Sequence, residues 1–341
     1  MFFGTDYIKT AVMISIVVPV YNAARWVEGC VASIAGQKGH EELCEVLLVD
    51  DGSSDGSGGI CRRLAAEHAN VRCLSEPNSG PATARNLGMS HARGEYVWFV
   101  DADDQIAPDA LQLLANCIER NGHPDVVCFN YRYVTEAGHH DAVDFECEQV
   151  VEPAIDLVAS RAKLYAWNRI YRMETVKGLR WPDGLVNTED FCFTLMALAR
   201  ARRLVTLPQV LYYYNCANPA STLRDRSRRK LVRNRNHTLA VHQMLVREIA
   251  RCRDGHTRRL MMNALNVSVS GQLYCALLDH SPRFVGHTIA RYRRMGLYPV
   301  GMTMNCKANR FLRLANHEWL LLTAIRLRCL AQCIVRSLFR R

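Results

Sequence analysis

Asp101, Asp103 and Asp104 crowd three carboxylates into four positions, directly after the apolar run Val97-Trp98-Phe99-Val100. Such a run favours a buried β-strand, so the strand would end in uncompensated negative charge. Carboxylates this close repel one another, and desolvating them costs several kcal/mol unless a cation or a set of donors answers them. Hard Mg²⁺ or Mn²⁺ is held by one or two carboxylates together with phosphate oxygens. The pattern therefore points to metal-assisted chemistry on a nucleotide phosphate, over the plainer alternative of a solvated acidic turn. Alternation puts Asp101 and Asp103 toward one side, one for ribose and one for the ion. Spacing leaves open which does which, and whether Asp104 joins them.

Other polar residues stand at strand ends too. Asp50-Asp51-Gly52-Ser53-Ser54-Asp55 follows the apolar residues 45–49. A capping turn needs one acid, which Ser54 or Asp55 could replace or supply; two adjacent acids can also accept from a nucleobase N–H or a ribose hydroxyl. Pro19-Val20-Tyr21-Asn22 closes the β-branched run 14–20. Asn78-Ser79-Gly80 opens a helical pattern carrying Arg85, and a helix N-terminus with an arginine suits a diphosphate. A buried helix with one paired arginine would look similar.

The elements that must position these residues alternate with little spare chain. Strands are expected over 14–20, 45–49, 71–74, 95–100 and 125–134, with helical patterns through 37, to about 68, through 91 and from Pro108. Strands separated in this way imply βαβ units and a parallel sheet. Ligands of such open sheets bind beyond the carboxyl ends of the strands, which is where every polar signature falls. The middle, 136–223, is mixed, with Trp167-Asn168-Arg169, Trp181-Pro182-Asp183-Gly184 and Glu189-Asp190; Thr188 is positioned to cap the helix that follows, and Tyr212-Tyr213-Tyr214 reads as a strand. From Arg224 the pattern is helical, broken near Gly255, at Ser281-Pro282 and across 296–301.

Charge is divided as sharply as pattern. Residues 1–223 hold 19 Lys/Arg against 28 Asp/Glu, and 224–341 hold 24 against 5, so a net of −9 precedes a net of +19. A half this basic seeks an anionic surface or polymer. In residues 310–341, Leu320, Ala324, Leu327, Ala331, Ile334 and Leu338 form an apolar stripe with Arg326, Gln332 and Arg336 opposite and Arg328 at the boundary. That combination describes a helix lying in a membrane interface, the alternative being a helix packed on its own domain. No nucleic-acid module is recognisable, so nucleic acid is not an expected partner. The 14 cysteines include no Cys-x-x-Cys pair and lie singly among apolar residues, the pattern of free thiols in a reducing compartment. No apolar run approaches the roughly 18–20 residues of a transmembrane helix, and no secretory signal is expected. Residues 1–12 read as a tail, with Met13 an alternative start.

Taken together, Pro19-Val20-Tyr21-Asn22, Val49-Asp50-Asp51-Gly52-Ser53-Ser54-Asp55, Asn78-Ser79-Gly80, Ala84-Arg85-Asn86-Leu87-Gly88 and Asp101-Ala102-Asp103-Asp104 resemble the family 2 glycosyltransferases in order and spacing. The resemblance covers about residues 13–215. It implies a GT-A fold, Rossmann-like with a mostly parallel sheet flanked by helices, a nucleotide-diphosphate sugar donor and inversion at the anomeric carbon. By similarity Pro19, Tyr21 and Asp51 would bracket the base, Asn22 would belong to the same donor site, and Arg85 would lie near base or diphosphate. Asp101 and Asp103 would serve ribose and metal, with Asp104 a possible second ligand of Mn²⁺ or Mg²⁺. Inversion needs a base for the acceptor hydroxyl; Glu189-Asp190 resembles the family's acidic pair, which implies Asp190 as that base and Glu189 beside the acceptor. Without the resemblance, helix-terminal charge would explain the pair as well. Trp167 and Asn168 match a segment near the acceptor, with core packing an equal reading of the Trp.

The expected organisation is a tail over 1–12, a GT-A domain over 13–223 (nucleotide-sugar half 13–135, acceptor half 136–223) and a basic helical region over 224–341. The Gln-x-x-Arg-Trp motif of processive synthases is absent, so addition of a single sugar is expected. The acceptor would be a glycan, lipid-linked, in bacterial surface polysaccharide or lipopolysaccharide synthesis, at the cytoplasmic face of an anionic membrane. A sugar nucleotidyltransferase is the rival enzyme, but it would carry a Gly-rich basic loop where this chain has Pro19-Val20-Tyr21-Asn22. A catalytically silent GT-A binding protein is the other rival. Side-chain types alone do not choose the donor sugar or the linkage.

Overall fold

The computed structural model describes residues 13–160, 163–218, 227–279 and 281–338; the tail expected over 1–12 and the join expected at 223/224 lie outside them. The chain divides into two compact units that separate at 226/227.

The first unit runs β1 (Ile14–Val20), α1 (Val27–Ala35), α2 (His40–Leu43), β2 (Cys44–Asp51), α3 (Ser57–Glu67), β3 (Val71–Glu76), α4 (Pro81–His91) and β4 (Tyr96–Phe99). These four strands lie parallel in the order β3-β2-β1-β4. β1 and β2 are aliphatic without alternation because both faces of the sheet are covered. Ile14, Ile16 and Val18 share one core with Val27, Cys30, Val31 and Ile34 of α1. On the other face α4 lies so close to β1 that a Cβ at Gly88 would stand 2.3 Å from Val17 Cγ1.

The chain continues through β5 (Gln105–Ile106), α5 (Ala110–Arg120), β6 (Val126–Thr135), β7 (Gly138–Ala142), β8 (Gln149–Val151), β9 (Arg169–Arg172), α6 (Met173–Val176), α7 (Glu189–Arg200) and β10 (Leu204–Asn215). Here the sheet is mixed where alternation suggested parallel order. β9 lies between β4 and β6 and runs antiparallel to both, while β10 is parallel to β6. After β6 the chain turns back in a hairpin with β7 instead of crossing over on a helix, and the segment between β8 and β9 returns it so that β9 enters antiparallel to both β4 and β6.

The second unit is helical: α8 (Arg228–Arg251), α9 (Gly255–Asp279), α10 (Pro282–Arg294), α11 (Cys306–Ala315) and α12 (Glu318–Leu338). Buried His242 joins three of them, sharing hydrogen bonds with Tyr292 (3.1 Å) and Ser268 (2.9 Å). Burial pushes its pKa down to about 3, so it acts as a neutral polar tie. The apolar stripe expected on α12 needs correction. Leu321 and Ile325 are the fully buried residues, while Trp319, Leu327 and Leu330 are 67%, 63% and 60% exposed. The helix is apolar around much of its circumference, so periodicity alone could not choose the face that packs; Ile334 and Leu338 have side chains outside the description. Among the described residues no helix is long and apolar enough to cross a membrane, and every described cysteine is a free thiol.

Candidate active site

The ends of β1 and β2 are laced together by backbone and side chain. Asn22, in the left-handed region at φ 51°, donates its N–H to Ser53 Oγ (3.1 Å), and its Oδ1 accepts from the Ser54 N–H (2.9 Å). Pro19 is half-buried and Tyr21 exposed at the same strand end. Asp51 is 2% exposed; its two oxygens accept from the Ser79 N–H (2.6 Å) and the Gly80 N–H (2.9 Å). Its carboxylate thus holds the loop that opens α4 instead of standing open to a base. Gly52 allows the two loops to approach: it sits at φ +68°, and a Cβ there would lie 2.7 Å from the Asn78 nitrogen. Asp55 accepts from the Ser57 N–H (3.0 Å) at the start of α3, while the N-cap position itself is held by Gly56.

The acid cluster separates into three environments. Asp104 is 1% exposed and braced to β10, its oxygens accepting from the Tyr212 hydroxyl (2.6 Å) and the Asn215 N–H (2.6 Å). Where the resemblance implies a possible second metal ligand, the structure shows both oxygens engaged in a buried brace. Asp103 is half-buried and accepts from Asn218 Nδ2 (2.7 Å); burial and the Asp101 charge raise its pKa. Asp101 accepts from Arg85 Nη2 (2.8 Å). No group of three His, Cys, Asp or Glu among the described residues is arranged to hold an ion. The pair Asp101 and Asp103 still fits a hard cation that takes its other ligands from a diphosphate and water, since like charge at Asp103 favours one.

Arg85 carries this cluster to a second acid pair. It is buried, reaches Asp101 with one nitrogen and Glu189 Oε1 with the other (3.3 Å), and lies over the Trp181 ring (4.6 Å). The expectation of Arg85 against base or diphosphate thus meets a different arrangement, an arginine already shared by two carboxylates. The neighbouring Asn86 exchanges hydrogen bonds with the Trp181 backbone (2.8 and 2.9 Å) and donates to Asp183 (2.8 Å), which fastens α4 to the loop before α7. Glu189 and Asp190 begin α7. Thr188 stands at the N-cap position at φ 70° but makes no side-chain capping bond, contrary to expectation. Burial, then the Asp190 charge, push Glu189 up to about 7 against the pull of Arg85. Burial also raises Asp190, countered by a hydrogen bond from the Phe191 N–H (2.7 Å) and by Arg85 and Arg169.

Two residues expected at the acceptor belong to the interior. Trp167 is stacked between Tyr165 (4.8 Å) and Tyr212 (4.7 Å), and its carbonyl accepts from Trp98 Nε1 (2.8 Å). Asn168 is fully buried, with Nδ2 directed to the Phe129 carbonyl (3.5 Å). Sequence reasoning missed Tyr212, which braces the acid cluster, and Arg169, fully buried with Nε and Nη1 unpartnered. The arginine could have been singled out, because an arginine inside a strand of apolar and aromatic residues needs a reason. Tyr212 gave no such signal, since its partner lies across the sheet.

A sheet whose strand tips gather acids, a helix N-terminus and a second acid pair joined by one arginine defines a GT-A glycosyltransferase scaffold, here followed by a helical region. The chain belongs to glycosyl transferase family 2, whose pattern matches residues 15–196. EpsJ of Bacillus subtilis (strain 168), described as an uncharacterized glycosyltransferase, is 31% identical over 217 residues, 61% of this chain and 62% of its own length. TarS of Staphylococcus aureus (strain Mu50), a poly(ribitol-phosphate) beta-N-acetylglucosaminyltransferase, is 31% identical over 205 residues, 59% of this chain and 35% of TarS. The chain therefore spans less than two thirds of either relative. The crystal structure of S. aureus TarS 1–349 in complex with UDP has the same fold, with a TM-score of 0.70 at 23% identity, covering 94% of this chain and 92% of that one.

Proposed function

We propose that this chain is an inverting glycosyltransferase that moves one sugar from a nucleotide-diphosphate donor, a UDP-sugar, to a glycan acceptor. The observation that carries the reading is the double ion pair of Arg85, which brings the strand-tip acids and the α7 acid pair to one place. TarS has been crystallised with UDP and with UDP-GlcNAc, which supports a nucleotide-sugar donor for a chain of the same fold. In this reading the loops at Asn22, Asp51 and Gly80 receive the nucleotide. Asp103, with Asp101, would hold Mn²⁺ or Mg²⁺, which supplies charge neutralisation to the departing diphosphate. Arg85 orients Asp101 and Glu189 and adds positive charge beside them. Asp190 takes the proton of the acceptor hydroxyl as its oxygen bonds to the anomeric carbon and the bond to the diphosphate breaks on the opposite face.

The relatives bear on the acceptor class. The homologues named for teichoic acid and poly(ribitol-phosphate) chemistry support a bacterial surface polymer as acceptor; in this reading it is presented lipid-linked at the cytoplasmic membrane face. The test is a thermal-shift panel of nucleotide sugars with Mn²⁺, followed by assay of nucleoside diphosphate release. One donor should stabilise the protein, by about 2.7 kcal/mol at a hundred times its Kd. Chelation by EDTA, or Asp103→Asn, should abolish release, and full activity in EDTA would remove the metal from the scheme.

A further inference from the structure

The helical unit contains a groove of about 480 Å³ lined by Gln243 of α8 and by Arg291, Arg294 and Met295 at the end of α10. Volumes of this order hold small ligands. α8 and α10 meet through side chains at two points: the Arg235 guanidinium rests 4.0 Å over the Phe284 ring, and His242 meets the Tyr292 hydroxyl at 3.1 Å. Among the described residues no carboxylate lies within ion-pair distance of Arg235, Arg291 or Arg294. The contrast with their neighbour is informative, because Arg293 on the same turn pairs with Glu318 at 2.7 Å. Glu248, the acid nearest in sequence on α8, is held by Arg251 (2.7 Å).

Arg235 adds an independent observation. Its Nε is buried and has no hydrogen-bond partner. Burial and the Arg291 charge lower its pKa, which marks Arg291 as a like charge nearby, and its Nη2 donates to Asn236 Oδ1 (3.1 Å). Favourable placement of cations at a helix C-terminus explains Arg291 and Arg294 on α10. It does not explain Arg235, which sits on a different helix far from that helix's end.

We propose that the α8–α10 groove is a binding site for a phosphate group, a phosphomonoester or phosphodiester, gripped by Arg291, Arg294 and Gln243. Guanidinium forks match phosphate oxygens in bidentate geometry, and two such forks at one groove suit an oxyanion more highly charged or more oxygen-rich than a single carboxylate. No open aromatic face lines the groove for base stacking, which separates it from a nucleic-acid surface. The groove is built wholly from residues of the helical unit, so its role does not rest on that of the first unit's acids.

The phosphate could come from a soluble molecule or from a lipid headgroup, and two probes distinguish them. Full-length protein is titrated with inorganic phosphate by calorimetry, and co-sedimented with phosphatidylglycerol vesicles against phosphatidylcholine vesicles. Arg291→Gln with Arg294→Gln should weaken at least one of these by about tenfold, while the charge-matched pair Arg258→Gln and Arg259→Gln on α9 should not. Loss of phosphate binding assigns the groove to soluble phosphates, and loss of vesicle binding alone assigns it to headgroups. Equal loss in both variants, or no loss in either probe, overturns the proposal. Should the double variant melt early, the exposed single substitution Arg294→Gln gives the same comparison.

Discussion

Asp190 and Glu189 show how one site sets folding against chemistry. Glu189 has a pKa near 7 in the folded chain against 4.5 in an unfolded one, so folding favours its protonated form. Its contribution to stability is full below the unfolded value and is lost as pH rises through about 7. Ionisation, in contrast, completes the ion pair with Arg85. Activity should therefore rise with pH along an acid limb whose apparent pKa belongs to the coupled Glu189–Asp190 pair and lies above that of an ordinary carboxylate, since both acids are raised. Glu189→Gln should move that limb to lower pH, and should flatten the fall in melting temperature between pH 5 and pH 8. A limb that stays in place would mean Glu189 does not influence the base. At this scale the sequence was partly legible: the acids could be found, but not which of them brace the fold. Asp104 and Asp51 carry the same carboxylate as Asp103, and only their backbone and Tyr212 partners, distant in sequence, set them apart.

Among elements, α4 is the part on which the site depends most. It rests on β1 through Gly88, reaches the acid cluster through Arg85 and fastens the loop before α7 through Asn86. Replacing Arg85 by Ala leaves Asp101 and Glu189 without their shared cation in a buried place, a loss on the order of 3–5 kcal/mol for a buried pair. Arg85→Ala should lower the melting temperature and depress turnover, and Arg85→Lys should restore only part of either because a single ammonium cannot serve both acids in the same fork. Unchanged stability in the alanine variant would show the arginine to be peripheral. The strands and helices of 14–134 were readable because aliphatic runs and turn residues alternate at short range. The antiparallel entry of β9 was not, since nothing local in Arg169-Ile170-Tyr171-Arg172 records its direction.

At the scale of the whole molecule, two units with opposite charge share one chain, and charge asymmetry was visible from residue counts alone. The outward face of α12 presents Trp319, Leu327 and Leu330 beside Arg326, the composition of a helix that lies at a membrane interface. Because Leu321 and Ile325 are buried core residues, deletion of this helix would damage the fold; substitution of the exposed face is the cleaner test. Trp319→Ser, Leu327→Ser and Leu330→Ser together should release the protein from anionic vesicles without lowering its melting temperature. Undiminished co-sedimentation would contradict this reading of α12. The central claim, however, rests on the first unit: its acids divide donor binding from proton removal. The most direct measurement compares wild type and Asp190→Asn with the donor found in the nucleotide-sugar panel. The variant should bind that donor with the same thermal shift yet transfer sugar at least ~100-fold more slowly. Transfer at the wild-type rate would contradict the account, because the base would then not be Asp190.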